Sequence, residues 1–261
     1  MRKSKGEIML FFKKKHSFEE LNFRKDCHCH LLPGVDDGIK TLEDSVRVLE
    51  SMVESGIREV ILTPHIYKEL FPNNTEASLR DSFEKFMNSL PVSLRGKIRI
   101  TLGGEYMVDE GFENRNPKSF LQFEQGKVLM EMSYFFISHN MEEAIFSVSM
   151  AGLTPVIAHP ERYLYLSRSL ETFDRYHDMG AEFQMNILSL SGCYGPESVR
   201  ILDYLLKKGL YSYMGTDTHS VSHFNNITEI KFGEKFLPHL AAFSKSCTLF
   251  SPTSETRCAK K

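Results

Sequence analysis

The chain alternates strand-like and helix-like segments, and nearly every strand-like segment ends on a residue able to bind a metal. His28 and His30 close the segment 23–30, His65 follows the β-branched run 57–63, and Glu105 follows 98–102. Glu131 sits at the end of 128–132, His159 ends 155–158, and Asp217 and His219 follow 211–215. A further strand is expected over 183–187, and helices over 42–55, 76–90, 141–150, 170–179 and 197–208. The first helix carries its own signals: Thr41 as cap, Asp44 three residues on, and Gly56 at its end. Strands separated by helices imply parallel pairing. Seven of them predict an α/β fold, a distorted, TIM-like (β/α)7 barrel in a single domain. In such a barrel the C-terminal strand ends converge on one face, where sites are built.

Composition narrows the function. Lys and Arg number 32 against 34 Asp and Glu, for a net charge of −2, so a nucleic-acid partner is not expected. No apolar run is long enough to span a membrane. The apolar stretch 8–12 is too short for a signal peptide and is followed by lysines, and the five cysteines are an odd, scattered set. A cytoplasmic protein is expected. Residues 1–22 read as a basic, solvated arm, 23–250 as the catalytic domain and 251–261 as a tail. No interface signature sets an oligomeric state.

The spacing of the ligand-type residues supports a metal site. His28 and His30 are two apart, so a strand points both to one face; Asp217 and His219 repeat the pattern. Asp37, in the loop after the first strand, is positioned to join them. Five imidazoles and four carboxylates suit Mn²⁺, Fe²⁺ or Zn²⁺ better than the all-oxygen sites of Mg²⁺ or Ca²⁺. Nine ligands exceed the needs of one ion. Three ions sharing carboxylates leave a surplus charge of about +2, which suits a phosphate dianion and a hydroxide.

A cysteine-based phosphatase can be tested by counting. That mechanism needs Cys and Arg separated by five residues; Cys193 and Arg200 are separated by six, around a stretch that forms no Gly-rich nest. Cys27 and Cys29 are expected to pack behind the barrel wall. His16, His139, His177 and His239 read as surface or helix positions. Tyr67, Phe71, Tyr163 and Tyr165 lie beside the site loops, as candidates either for a phenyl-binding wall or for ordinary packing.

The stretches DCHCHLLPGVDDGIKTLEDS, TPHI, GGEY, VLMEM, PVIAHPERY, QMNILSLSGCYG and GTDTH occur in an order that resembles the PHP (polymerase and histidinol phosphatase) superfamily. More narrowly, the chain is similar to the manganese-dependent protein-tyrosine phosphatases of bacterial capsular and exopolysaccharide operons, the CpsB/YwqE type. LPGVDDG and HPERY are the most specific parts, and the resemblance covers roughly residues 24–225. It implies a PHP-type barrel with a trinuclear site held by His28, His30, Asp37, His65, Glu105, Glu131, His159, Asp217 and His219. It further implies a phosphate-binding Arg162 and, as substrate, phosphotyrosine on a bacterial tyrosine kinase. Some family members carry a second Arg after the final DxH; here that stretch is SVSHFNN, and His223 is the candidate replacement. Asn186 is a candidate substrate contact. The mechanism expected is in-line attack by a hydroxide held between the ions, with Asp37 or a nearby His as proton donor. The rival readings are a small-molecule phosphomonoesterase, such as a histidinol phosphatase, and a non-catalytic phosphotyrosine- or kinase-binding module.

Overall fold

The strands of the computed structural model, which describes residues 15–135 and 138–240, run in chain order as follows. They are β1 (Lys15–Ser17), β2 (Lys25–Cys29), β3 (Glu59–Leu62), β4 (His65–Ile66), β5 (Arg99–Leu102), β6 (Glu105–Met107), β7 (Lys127–Glu131), β8 (Thr154–Ala158), β9 (Glu182–Asn186), β10 (Tyr211–Gly215) and β11 (Lys231–Gly233). The helices are α1 (Leu42–Glu54), α2 (Glu76–Ser89), α3 (Met141–Met150), α4 (Glu171–Asp178), α5 (Pro196–Lys208) and α6 (Val221–Thr228).

Two of the expected strands are each broken in two. Pro64 separates β3 from β4, since proline has no N–H for the ladder. Gly103 and Gly104 separate β5 from β6. Taking each pair as one stave gives seven, all parallel. β2 pairs with β3 and β3 with β5; β4 pairs with β6, and pairing then continues through β7, β8, β9 and β10. The barrel closes where Cys29 bridges Thr218, with the Asp217 N–H donating to His28 O at 2.7 Å and the His30 N–H to Thr218 O at 2.9 Å. This is the distorted (β/α)7 barrel expected. The distortion lies between β6 and β7, where the connection holds a 3-10 turn, Phe112–Asn114, in place of an α-helix.

The helix faces explain the packing. In α1, Ser45, Val48, Leu49 and Met52 are buried at helical spacing, and the Thr41 hydroxyl accepts the Asp44 N–H at 3.2 Å as cap. Outward-facing strand residues such as Val128, Met130 and Ile157 join the helices in the main core. A smaller cluster of Cys27, Ile61, Phe123, Leu129, Val156 and Ala158 fills the barrel interior. Leu129 is two residues before Glu131 and so shares its face, which places this cluster directly under the site. The two cysteines therefore part company: Cys29 packs outward as expected, but Cys27 joins the interior. The register between β2 and β3 shifts between Asp26 and Cys29, and that bulge turns Cys27 inward.

The N-terminal boundary also differs from expectation. Residues 15–17, assigned above to a solvated arm, pair antiparallel with β11, and Phe18 and Leu21 are buried behind them. His16, read as a surface position, is buried against Phe232 and bonded to Glu20 at 2.6 Å. The rest of the arm, the tail 251–261 and the end of the expected domain lie outside the described residues.

Candidate metal centre

All nine expected ligands come together at the C-terminal ends of the staves. They form four overlapping groups: His30, Asp37, His65 and His219; His28, His30 and Glu105; His28, His159 and Asp217; and His65, Glu105 and Glu131. Glu105, at the start of β6, is the hub. Its Oε2 lies 3.2 Å from Nε2 of His28, Nε2 of His30 and Nδ1 of His65, while its Oε1 lies 2.9 Å from His159 Nε2. Glu131 Oε1 approaches His65 Nδ1 at 3.0 Å. Asp217 Oδ1 stands 3.4 Å from Nε2 of both His28 and His30. Asp37, the outermost, has Oδ1 at 3.4 Å from His65 Nε2 and 3.7 Å from His219 Nε2.

Neighbouring groups fix which ring nitrogen faces inward. His30 Nδ1 donates to Asp36 Oδ2 at 2.9 Å, and His28 Nδ1 to Gln184 Oε1 at 2.8 Å. His219 Nδ1 donates to Asp217 O at 2.7 Å. Each bond leaves Nε2 pointed into the cluster, as partners of metal-bound histidines do. Asp36 also accepts the Gly38 and His65 N–H groups, both at 3.0 Å. Asp26, buried below, accepts Thr216 N and Oγ1 at 2.9 and 2.5 Å and His28 N at 3.2 Å, tying β2 to β10 beneath the ligands.

The electrostatics suit cations. Burial would raise the Glu105 carboxyl, yet the charges of His28 and His65 and the bond to His159 hold it well below the usual range. Asp217 is likewise held well below, against its burial, by His28 and His219. Burial opposes charge on His28, His30 and His65, and the surrounding carboxylates nonetheless raise all three. His219 is lowered to about 4, by burial and by His30.

The donor set fits divalent ions. His65 Nδ1 and Glu105 Oε2 are buried without a hydrogen-bond partner, although they are 3.2 Å apart. His28 and His30 turn Nε2 atoms toward each other at 3.1 Å. Donors bound to one ion at about 2.1 Å stand roughly 3.0–3.4 Å apart, the spacing found here. Strain marks the same place: His159 (φ 32°) and Asp217 (φ 54°) adopt the left-handed conformation, which side chains favour little.

Arg162 lies at the edge of the cluster, in the 3-10 turn Pro160–Arg162 that follows β8. Its Nη1 lies 2.6 Å from Asp217 Oδ2, and its guanidinium lies over the rings of Tyr134 and Tyr194, 4.4 and 5.0 Å from the ring centres. Asn186 Nδ2 donates to the same Asp217 oxygen at 3.2 Å. His223 stands behind His219, its Nδ1 accepting the His219 N–H at 3.3 Å. A cavity of about 710 Å³ opens on the cluster; Asp37, His65 and Glu131 form part of its wall, with Tyr67, Phe71 and Tyr134. Of the four aromatics weighed from the sequence, Tyr67 and Phe71 line it. Tyr163 is fully buried and its hydroxyl accepts the Met132 N–H at 2.9 Å, which makes it a packing residue, and Tyr165 donates to Ser133 O.

A closed parallel barrel with imidazoles and carboxylates ringed at its strand ends defines the class: a (β/α) barrel whose strand ends group donors able to hold metal ions. The chain belongs to the CpsB/CapC family of capsular polysaccharide synthesis, which matches residues 24–231. It is 27% identical to the tyrosine-protein phosphatase YwqE of Bacillus subtilis, over 78% of this chain and 80% of that one. It is 28% identical to the tyrosine-protein phosphatase CpsB of Streptococcus agalactiae, over 75% of this chain and 83% of that one. A crystal structure from work on B. subtilis YwqE and Streptococcus pneumoniae CpsB, described as unique metal-dependent tyrosine phosphatases, superposes with a TM-score of 0.71. The identity is 25%, with 84% of this chain and 86% of the other covered. Among the described residues no helix is long and apolar enough to cross a membrane.

Proposed function

We propose that this chain is a metal-dependent protein-tyrosine phosphatase, acting on the phosphotyrosine tail of a bacterial tyrosine kinase in capsular or exopolysaccharide synthesis. The observation that carries the reading is the ring of nine donors with Arg162 at its edge and an aromatic-walled cavity opening on it. The nine residues would hold up to three ions, Mn²⁺ first, with Fe²⁺ or Zn²⁺ as substitutes. When bound, such ions activate water and neutralise charge at phosphorus.

The chain's own groups supply the rest. Arg162 offers a planar fork of donors to phosphoryl oxygens, and its two aromatic neighbours hold the fork in place. Asn186 keeps Asp217 turned by holding Oδ2. His223, lowered by burial, is a neutral ring in the stretch where some members of the family that this chain resembles carry a second Arg. Tyr67, Phe71 and Tyr134 wall the space for a phenyl ring. Asp37 is held low by its bond to His65, which suits an ionised ligand. A phenol has a pKa near 10 and leaves with modest help. The free cysteines among the described residues suit a cytoplasmic site of action.

The test is phosphate release by protein stripped with EDTA and then supplied with Mn²⁺. A phosphotyrosyl peptide, a phosphoseryl peptide and histidinol phosphate serve as substrates. Metal-restored hydrolysis selective for phosphotyrosine is expected. Faster turnover of histidinol phosphate moves the assignment to a small-molecule phosphomonoesterase, and no turnover with metals bound moves it to a binding module.

A further inference from the structure

The cavity beside the cluster has a chemistry of its own. A phosphoryl group at the ligand ring places the tyrosyl ring and the flanking peptide in or over this cavity, because Asp37, His65 and Glu131 belong to both. Beyond those three, the lining carries five more carboxylates: Glu69 after β4, Asp109, Glu110 and Glu113 after β6, and Glu143 on α3. Among the described residues no Lys or Arg lines it, and the only cation paired with these five is Arg115, 3.9 Å from Asp109. The inner wall is formed by His65 and Glu131, whose Nδ1 and Oε1 face each other at 3.0 Å in the cluster. The site therefore joins an anion-seeking cluster, with Arg162 at its edge, to a negative rim of Glu69, Glu110, Glu113 and Glu143, which pair with no cation among the described residues.

We infer that this rim selects phosphotyrosine segments with Lys or Arg beside the phosphorylated residue. The inference rests on the phosphatase reading and deepens it, since it names the kind of segment the site takes. Aromatic walls receive the phenyl ring, and the basic flanks meet Glu69, Glu110, Glu113 and Glu143. An acidic flank meets the same carboxylates and is repelled, so one rim supplies both attraction and exclusion. Because these carboxylates are exposed, the selection is sensitive to salt.

The test uses full-length, Mn²⁺-loaded protein and two fluorescent peptides. Each carries a non-hydrolysable phosphonomethyl-phenylalanine, flanked in one by Lys and in the other by Glu. The Lys peptide should bind roughly tenfold tighter at low ionic strength. That ratio should shrink as salt rises and approach one in the triple variant Glu110→Gln, Glu113→Gln, Glu143→Gln. Equal binding, a preference for Glu, or a Lys preference indifferent to salt overturns the proposal, whether or not the variant folds. A Lys preference undiminished in the folded variant overturns it too. Hydrolysis of p-nitrophenyl phosphate by the wild-type protein is measured in parallel. Hydrolysis without flank preference removes the rim proposal alone, and flank preference without hydrolysis removes the phosphatase reading alone.

Discussion

Arg162 Nη1 lies 2.6 Å from Asp217 Oδ2, while the other oxygen of Asp217 faces His28 and His30 at 3.4 Å. One carboxylate thus joins Arg162 to the ring of donors. Arg162 is half-buried and its positive charge is reinforced by Asp217, so it is present at any working pH. Replacing it should remove charge stabilisation at phosphorus without freeing Asp217, because Asn186 still holds Oδ2. Arg162→Ala is expected to lower kcat/KM by about 10²–10³-fold, the range for loss of one such donor, with metal content retained. Elemental analysis of the purified variant checks the second half. Loss of metal along with activity would show Arg162 to be a clamp for Asp217 and not a phosphate ligand.

Tyr194 lies under the same guanidinium as Tyr134, its ring centre 5.0 Å from Arg162 Cζ. A cation over an aromatic face contributes about 0.5–2 kcal/mol, and the ring also limits where the fork can point. Tyr194→Ala should therefore reduce kcat/KM by roughly 2–30-fold, and Tyr194→Phe, which keeps the ring, should reduce it little. Steady-state kinetics on a phosphotyrosyl peptide separates the two. If Phe is as damaging as Ala, the hydroxyl is what matters and the stacking account is wrong.

Metal binding should depend on pH with a definite sign. In the metal-free site the carboxylates raise His28, His30 and His65, so these imidazoles keep protons to higher pH than a free histidine. An ion needs the neutral ring, so binding must displace those protons and tightens as pH rises. Titration calorimetry in two buffers of different ionisation enthalpy should show proton release near pH 6.5, with weaker Mn²⁺ affinity at about pH 6 than at about pH 8. Asp36→Asn, which takes the carboxylate from His30 Nδ1, should cost about 10–100-fold in affinity. Binding that releases no protons at the lower pH contradicts the protonation states described here.

What the sequence displayed, and what it hid, follows from how each signal is carried. The ligand ring was legible because each donor sits at or just beyond the end of its own strand-like run, so local pattern and barrel closure together put it on one face. The partners of the ligands were not. Gln184 reaches His28 across β9 and β10, and Asp26 reaches Thr216 across the barrel seam; both depend on register between staves, which no local pattern encodes. Asp36 and Asp37 are adjacent and chemically identical in the chain, and only the turn of the loop sends Asp36 to His30 and Asp37 to His65. Tyr134 and Tyr194 lie 60 residues apart and meet only at Arg162. The basic residues at the N-terminus masked β1, whose three residues are too few to show alternation and whose partner, β11, is near the far end of the described chain.

Gly215, the last residue of β10, tests whether the ligand ring depends on the close approach of two staves. A Cβ there would lie 2.5 Å from His28 Cβ, 2.9 Å from Gln184 Nε2 and 3.0 Å from His28 N. One of those is backbone and another is the ligand's own Cβ, so neither can swing aside. Gly215→Ala should push β2 away from β10, destabilise by about 1–3 kcal/mol and weaken Mn²⁺ binding at the same time. Gly209→Ala is the matched control. Its φ of 67° makes alanine strained, but no atom lies within 4 Å of the added carbon. That variant should lose stability of order 1 kcal/mol with unchanged Mn²⁺ affinity. Thermal unfolding and metal titration on both proteins decide the point. Equal metal affinity in the two variants would mean that His28 is not held in place by the β2–β10 contact.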